Sequence, residues 1–266
     1  MSRYALLTGT GDPHIWNFGS AASHHRLHMP WLSAGCVHAG MLGLRGAVPP
    51  DAGLMKKAAQ QIQSIMIEHG VADMPSGVDI IEPPLLYELQ ELGIEVRDAQ
   101  QTMLNAREIK NIDEIVLLNQ AAAMVDGVYH QILEELKPGV RECDIVASAT
   151  KQLYEMGSDH VEAISAVSGK RCNPHLHNFT DRLFRPGDQA FFDVIQSYMG
   201  YRTCYYRTIN VGRATDSQRD AYKQAREWID ASIAMICPGV STDQVAACWP
   251  TAEQLDRVVP DRPAFV

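Results

Sequence analysis

An aspartate and a cysteine lie within a stretch that otherwise has the pattern of two β-strands. The sequence FFDVIQSYMGYRTCYYRT, residues 191–208, has aromatic and β-branched residues on both sides of a Tyr-Met-Gly turn signal. Asp193 lies in the apolar half of the first predicted strand, and Cys204 lies in the second. A hairpin centred between them would place the two residues directly opposite each other, with Cβ atoms about 4.5 to 5.5 Å apart. At that separation we expect the pair to share one ion or one substrate atom.

Histidines and arginines are concentrated in the segment before this hairpin. The sequence SGKRCNPHLHNFTDRLFRPGD, residues 168–188, has the Gly, Pro and Asn content of a loop, and RPGD predicts a turn into the first strand. Histidine exchanges a proton near neutral pH, and arginine holds a carboxylate with two hydrogen bonds. The presence of His175, His177, Arg171 and Arg182 indicates an active-site loop, with a structural or solvated loop as the alternative.

The composition limits the kind of protein. The chain is 46% hydrophobic and 21% charged, which is typical of a globular protein, and its net charge of −9 argues against a nucleic-acid-binding surface. No apolar run approaches the roughly 18 residues of a membrane span, and the N-terminus lacks a signal-peptide pattern. We therefore expect a cytoplasmic protein that binds neither nucleic acid nor membrane. The six scattered cysteines include no CxxC pair, so neither a zinc knuckle nor a disulfide framework is predicted.

Residues 1–108 are predicted to form a small α/β domain. A helix with one apolar side is expected over 51–69, and extended segments at 77–81 and 94–98 flank a second helix. The sequence HHRLH, residues 24–28, is predicted to be a solvated or interface loop rather than a metal cluster, because no acidic residue or cysteine lies at ligand spacing nearby.

A pattern of helix, turn and helix occurs twice in residues 109–266. The first copy has a long helix over 112–136, the turn KPGV and a helix over 143–156, followed by a strand over 160–167. The second copy has a long helix over 216–236, the turn CPGV and another helix. The spacing of 100 residues between the two turns predicts a domain built by pseudo-symmetric duplication. Because only a short stretch follows the second turn, the second repeat is expected to be incomplete.

These features together resemble the pita-bread family of methionine aminopeptidases, Xaa-Pro aminopeptidases, prolidases and creatinase. The likeness rests on a strand aspartate, a Gly-Tyr turn, a second strand ending in Arg207 and Thr208, a loop histidine before the aspartate and a PGD turn between them. It covers residues 109–266, while residues 1–108 resemble the latter part of the domain that precedes the catalytic domain in aminopeptidase P and creatinase. The resemblance implies an α/β (α+β) fold, in which a smaller partial N-terminal α/β domain precedes a pseudo-twofold pita-bread catalytic domain.

The resemblance also implies a metal site. In the metallopeptidases of this family, two strand aspartates, a histidine and two glutamates bind two metal ions. Asp193 matches the first aspartate by position, and Cys204 stands in place of the second. Asp193 and Cys204 are thus the implied ligands of a divalent metal (Mn, Zn or Fe), although a thiolate orients a metal differently from a bidentate carboxylate. Because the other ligands would belong to the second repeat, we expect weak metal binding or none.

The leading functional hypothesis is a hydrolase of the Xaa-Pro aminopeptidase and creatinase type. It would cleave a C–N bond in a small peptide-like or amidine-like substrate and, as the resemblance implies, act as a homodimer. Creatinase works without metal through a loop histidine, and His177 or His175 resembles that residue by position. Arg171 or Arg182 would bind a substrate carboxylate, and Tyr201 would line the pocket.

Two alternatives remain. The sequence SGKRCNP, residues 168–174, is similar to a loop of the dimethylsulfoniopropionate lyases that adopt this fold, which favours a lyase acting on a small sulfonium acid. The third hypothesis is a catalytically inactive fragment, since the histidine and glutamate ligands of the family are not recognised in the chain.

Overall fold

The computed structural model describes residues 4–19, 21–40, 49–173 and 178–251. Its contacts divide the chain into two compact units, Met1–Ile109 and Lys110–Val266. The sequence places the boundary one residue earlier, between residues 108 and 109. None of the helices in the described ranges combines the length and the apolar character needed to cross a bilayer.

Within its described residues, the first unit contains two small sheets and four α-helices. Its strands are β1 (Tyr4–Leu6), β2 (His14–Phe18), β3 (Val37–Gly40), β4 (Ser76–Val78) and β5 (Val96–Asp98), and its helices are α1 (Ala21–His28), α2 (Leu54–Glu68), α3 (Pro83–Glu91) and α4 (Gln100–Ala106). In the first sheet β2 lies between an antiparallel β1 and a parallel β3, and in the second sheet β4 and β5 are parallel.

The core of the first unit forms where α2 packs on the first sheet. The buried side of α2 carries apolar residues at the three- and four-residue spacing of a helix face: Ala58, Ala59, Ile62, Ile65 and Met66. They pack with the buried Trp16 of β2 and with Leu85 and Leu89 of α3. The helix predicted over 51–69 is therefore present, and its apolar side is the buried one.

The loop prediction for residues 24–28 is wrong, because these residues belong to α1. The segment Ala21–His28 contains no Gly or Pro, and its basic residues fall in the last turn, where they complement the negative end of the helix dipole. Only Ala22 of this helix is buried, against Leu32 and Val37. A helix that is polar on nearly all sides cannot be predicted from apolar periodicity, because it has none.

In the part of the second unit that the structure describes, there are a three-stranded antiparallel sheet and four α-helices. Its helices are α5 (Ile112–Glu135), α6 (Glu142–Glu155), α7 (Asp216–Met235) and α8 (Thr242–Ala246), and its strands are β6 (His160–Ser168), β7 (Gln189–Tyr198) and β8 (Tyr201–Asn210), paired in the order β6-β7-β8. A capping box between Asn111 and Glu114 starts α5. The buried face of α5 packs on Phe192 and Val194 of β7.

The predicted helix, turn and helix pattern is present in both copies. Helices α5 and α7 each end at an extended residue, Leu136 and Ile236, before the PGV turn. The turn glycines Gly139 and Gly239 both have φ of 91°, a conformation that only glycine adopts readily. The last helix, expected from Asp243 onward, ends at Ala246.

The β7–β8 hairpin has a two-residue turn that fixes its register. Met199 and Gly200 have φ of 51° and 81°, so both turn residues have the positive φ of a type I′ turn. Tyr198 pairs with Tyr201, and this register continues to Asp193 opposite Tyr206 and Ile195 opposite Cys204. The prediction that Asp193 and Cys204 lie directly opposite each other is therefore wrong: the partner of Asp193 is two residues further along β8, because the hairpin is centred between Met199 and Gly200.

Met199 is the only non-glycine residue with positive φ among the described residues, and its side chain is 63% exposed. A methionine in the left-handed region costs about 1 kcal/mol relative to a residue that tolerates it. Met199→Asn is therefore expected to raise the free energy of unfolding by about 1 kcal/mol, since Asn-Gly is the preferred type I′ pair. Urea denaturation measures the change. Met199→Ala, which keeps the strain, is the control and should not stabilise the protein; equal effects of Asn and Ala would contradict this account of the turn.

Candidate functional site

The site forms around Asp193 in the middle of β7. Asp193 is 1% exposed, and the thiol of Cys204 donates a hydrogen bond to its Oδ1 at 3.1 Å. The two residues are diagonal neighbours rather than opposite ones, but they lie on the same face of the sheet because Cys204 is two residues from Tyr206, the partner of Asp193. Phe192 and Val194 point the other way, into the core formed with α5 and α6. The structure thus brings the predicted pair together on the face opposite these helices.

The Asp193 carboxylate lies between two protonated donors. Burial, followed by the hydrogen bond and the charge of Asp193, raises the pKa of the Cys204 thiol to about 11. The charge of Asp193 is also the main reason that the pKa of Tyr206 is raised, and burial adds to it. Near neutral pH Cys204 is therefore a thiol and Tyr206 a phenol. This arrangement is a hydrogen-bonded carboxylate rather than a carboxylate–thiolate pair.

Arg171 is engaged with a buried carboxylate. Its Nη1 donates to Glu142 Oε2 at 2.7 Å and to Thr180 Oγ1 at 2.8 Å, while its Nη2 donates to the carbonyl of Asn178. Glu142 is 0% exposed and also accepts hydrogen bonds from Ser168 Oγ and from the backbone and hydroxyl of Thr180. The guanidinium therefore fastens the loop to the first turn of α6.

Arg182 is engaged in the same way. It donates from Nη1 to Asp188 Oδ2 at 2.6 Å and from Nη2 to Asp188 Oδ1 at 3.1 Å, and it forms a further short hydrogen bond with Ser168 Oγ. The hydrogen bond from Arg182 holds the pKa of Asp188 below its usual value. Both predicted substrate-binding arginines thus bind carboxylates of the protein itself, and their role toward a substrate stays a prediction.

Of the remaining predicted residues, the structure describes only Tyr201. His175 and His177 lie outside the described residues, so their assignment as acid and base stays a prediction. Tyr201 lies on the helix-packed face of the sheet and donates its hydroxyl to Glu114 Oε1 at 3.0 Å. Its predicted place in a substrate pocket would require the opposite face.

The described residues do not assemble a divalent-metal site. Within the described ranges, no group of three or more His, Cys, Asp and Glu side chains is arranged to hold a metal ion. At the Asp193 pair, the thiol that would be a ligand instead keeps its proton and donates a hydrogen bond to the carboxylate. A catalytic zinc site needs three protein ligands with a deprotonated thiolate among any cysteines, so the residues described do not fit such a site by themselves.

Two residues of the site were missed by the sequence analysis. Tyr206 was not among the predicted site residues, although reading Met-Gly as a two-residue turn would have placed it opposite Asp193. Glu142 was not singled out, because its partner Arg171 lies 29 residues away in the sequence. A carboxylate in the first turn of a helix has an ordinary role at the helix N-terminus and gives no signal of burial.

Comparisons with known proteins agree on one family. The model of metallopeptidase family M24 matches residues 116–252. The chain is 30% identical over 158 residues to a probable dipeptidase PepE of Mycobacterium bovis, a match that covers 59% of this chain and 42% of the relative. It is 29% identical over 167 residues to an Xaa-Pro dipeptidase of Lactobacillus helveticus, covering 62% of this chain and 42% of that relative. The chain thus spans less than half the length of these curated relatives.

Solved structures show the same fold. The structure of an Xaa-Pro dipeptidase from Bacillus anthracis has a TM-score of 0.71 at 19% identity, covering 93% of this chain and 65% of that chain. A dipeptidase from Pyrococcus horikoshii OT3 also has a TM-score of 0.71, at 18% identity, and covers 97% of this chain and 68% of that one. The predicted mixed α/β fold class is confirmed by this likeness.

The raised pKa of Cys204 makes a prediction about its reactivity. A thiol with a pKa of about 11 is roughly 100-fold poorer in thiolate at pH 8 than one with an unshifted pKa, so alkylation of Cys204 by iodoacetamide should be slower by about that factor although the residue is exposed. The rate, followed by mass spectrometry of the peptide, should keep rising about tenfold per pH unit to pH 10. Asp193→Asn should speed the reaction only in part, because burial is the larger cause. A rate that levels off below pH 9 would refute the raised pKa.

The Glu142 network makes a prediction about stability. Glu142→Ala leaves the Arg171 guanidinium without its buried anion and should lower the free energy of unfolding by about 3 to 5 kcal/mol. Chemical denaturation measures this loss. Glu134→Ala removes an exposed carboxylate that meets only the exposed His130, at 3.4 Å, and is the matched control that should change little. Similar midpoints for the two variants would show that the network does not stabilise the loop.

Proposed function

We propose that this chain, which belongs to metallopeptidase family M24, is a hydrolase that cleaves a C–N bond in a short peptide-like substrate. Family M24 is the pita-bread family that its sequence resembles. The named relatives support this reaction class, because the curated ones include dipeptidases. The chain covers 42% of those relatives, so the activity of the whole protein is part of the proposal.

The observation that carries the proposal is the placement of Asp193. This carboxylate lies within the segment matched by the family model, is almost fully buried, and is held by the Cys204 thiol on the face away from the helices. A buried carboxylate costs free energy unless it is hydrogen-bonded, and here the Cys204 thiol of the adjacent strand supplies a hydrogen bond. Such a group can orient a water molecule or a substrate N–H.

The other steps are assigned to residues whose roles are proposals. His177 or His175, on the loop before β7, would take and return the proton of the attacking water, because imidazole titrates near neutral pH. Arg171 and Arg182 would act through the loop that they fasten, since their guanidinium groups are occupied by Glu142 and Asp188. The proposed reaction includes no metal-bound step, because the described residues do not fit a divalent-metal site.

The proposal is tested by hydrolysis of Xaa-Pro dipeptides, followed by release of proline. Asp193→Asn keeps the shape of the side chain but removes its charge, and it should lower kcat/KM by about 100-fold or more. Asp126→Asn changes a carboxylate on α5, hydrogen-bonded by Tyr205 on the helix-packed face, and should leave kcat/KM unchanged. Elemental analysis of the same dialysed preparations is expected to give less than one equivalent of Mn, Zn or Fe.

Three outcomes would count against the proposal. Equal activities of the two variants would remove Asp193 from the reaction. Retention of one or two metal equivalents that Asp193→Asn abolishes would replace the water-orienting role by a metal-binding one. An absence of hydrolysis with every dipeptide tested would favour the inactive-fragment hypothesis.

A further inference from the structure

Three histidines from distant parts of the first unit form a continuous hydrogen-bonded chain. His14 of β2 is 6% exposed, and its Nδ1 lies 3.0 Å from Nε2 of His38 on β3. Its Nε2 lies 3.1 Å from Nε2 of His69, the residue that caps the C-terminus of α2. The other ring nitrogen of His69, Nδ1, lies 3.3 Å from Thr8 Oγ1. The chain therefore ties the end of α2 to two neighbouring strands.

The Thr8 hydroxyl sets the direction of every hydrogen bond in this chain. Its single proton is donated to the carbonyl of Thr10 at 3.0 Å, so its oxygen accepts from His69 Nδ1–H. A neutral His69 then accepts at Nε2, and His14 must donate from its own Nε2–H. A neutral His14 in turn accepts at Nδ1 from His38 Nε2–H. This set of tautomers satisfies every hydrogen bond of the three neutral rings.

We propose that this histidine chain is a pH-sensitive latch, which holds the C-terminal end of α2 on β2 and β3 when the rings are neutral and loosens when they take up protons. The inference lies outside the Asp193 site and does not depend on the proposed hydrolase activity. A shared metal ion is not an alternative reason for the cluster, because His14 presents opposite ring nitrogens to its two neighbours.

The latch is sensitive to pH because few ring nitrogens in the histidine chain have a free lone pair that can accept a proton. Protonation of His14 at Nδ1 would set an N–H against His38 Nε2–H, and protonation of His69 at Nε2 would set one against His14 Nε2–H. The lone pair left over in the chain is Nδ1 of His38. A first proton is taken up at this nitrogen with every hydrogen bond kept, whereas a second proton on the three rings must set two N–H groups against each other.

The surroundings of the chain act mostly in the same direction. Burial is the main reason that the pKa of His14 is lowered, and the nearby His69 adds to it, against the smaller opposing effects of Glu68 and Asp12. Burial also lowers the pKa of His38, followed by the proximity of His14 and then Arg26. Among the other groups that face His14, the Cys36 thiol, 4.0 Å from His14 Nε2, has a raised pKa, mainly through burial, and stays protonated.

The sign of the pH dependence follows from these lowered pKa values. Unfolded histidines titrate near about 6.5, whereas His14 and His38 take up protons at lower pH in the folded unit. Stability is therefore fully present above about pH 6.5 and is lost as the pH falls below it. Each of these two histidines can lower the folding equilibrium constant by up to about tenfold per pH unit in that range.

The latch lies at one edge of the α2–sheet interface. Trp16, buried between α2 and the sheet, stacks on His38 with ring centroids 4.6 Å apart and donates its Nε1–H to Gln61 of α2 at 3.2 Å. The histidine chain extends this contact beyond the last turn of α2. Loosening it should therefore expose the amides of α2 before those of the second unit.

The first test is the tautomer pattern at pH 8, read from the ring nitrogen chemical shifts of the full chain by NMR. His14 and His38 are expected as Nε2–H tautomers and His69 as the Nδ1–H tautomer. Thr8→Val removes the acceptor and should shift His69 away from the Nδ1–H form, whereas Thr8→Ser keeps the hydroxyl and should preserve it. If His69 carries its proton on Nε2 in the wild-type protein, the tautomers assigned to the three histidines are wrong and the proposal is overturned.

The second test is amide hydrogen exchange of the full chain between pH 7.5 and 5.5, corrected for intrinsic exchange rates. Protection of the α2 peptides should fall by about 10- to 100-fold, while protection of the α5 peptides in the second unit should not. His14→Gln should lower α2 protection at all pH values and flatten its pH dependence, and the exposed His28→Gln should follow the wild type. Equal behaviour of α2 and α5, or an unchanged α2, would overturn the proposal. The tautomer test stays decisive where His14→Gln fails to fold.

Discussion

The register of the β7–β8 hairpin is the constraint on which the candidate site depends. The register is set by a two-residue turn at Met199 and Gly200, and a shift of one residue in either strand would exchange the faces of that strand. Because the core side of β7 carries the fully buried Phe192 and Val194, such a shift would bury Asp193 against α5 without a partner. Hydrophobic burial on one face therefore fixes the carboxylate on the other.

On the sheet face that carries Asp193, the carboxylate is buried and makes polar contacts with the adjacent strand. Cys204 and Tyr206 come from the adjacent strand, and each is kept protonated by the environment that they share with the carboxylate. Replacing a carboxylate by a thiol at this position converts a second anion into a hydrogen-bond donor. A single carboxylate is easier to bury than two neighbouring carboxylates. It also binds a divalent cation more weakly than a pair of carboxylates does.

The loop before β7 is held by a buried charge network in addition to the apolar packing of Phe184 in the core. Glu142 accepts hydrogen bonds from Arg171, Ser168 and Thr180, and the Arg182–Asp188 pair continues the network toward the start of β7. Each buried charge has partners on at least two sides, which is the condition under which buried ion pairs are tolerated. The two arginines therefore organise the segment on which the predicted acid and base histidines are carried.

The sequence by itself determined the elements whose cause is local. Apolar periodicity located α2 and α5, the repeated PGV turn indicated α7 and the duplication, and the aromatic strands located Asp193 and Cys204 on one hairpin. The family followed from that pattern. Tertiary structure decided which side chains meet: Tyr206 with Asp193, Arg171 with Glu142, and the chain of His14, His38 and His69. Some of these contacts join residues that are distant in the sequence, and the contact of Tyr206 with Asp193 depends on the exact register of the two strands. Neither local propensity nor spacing carries that information.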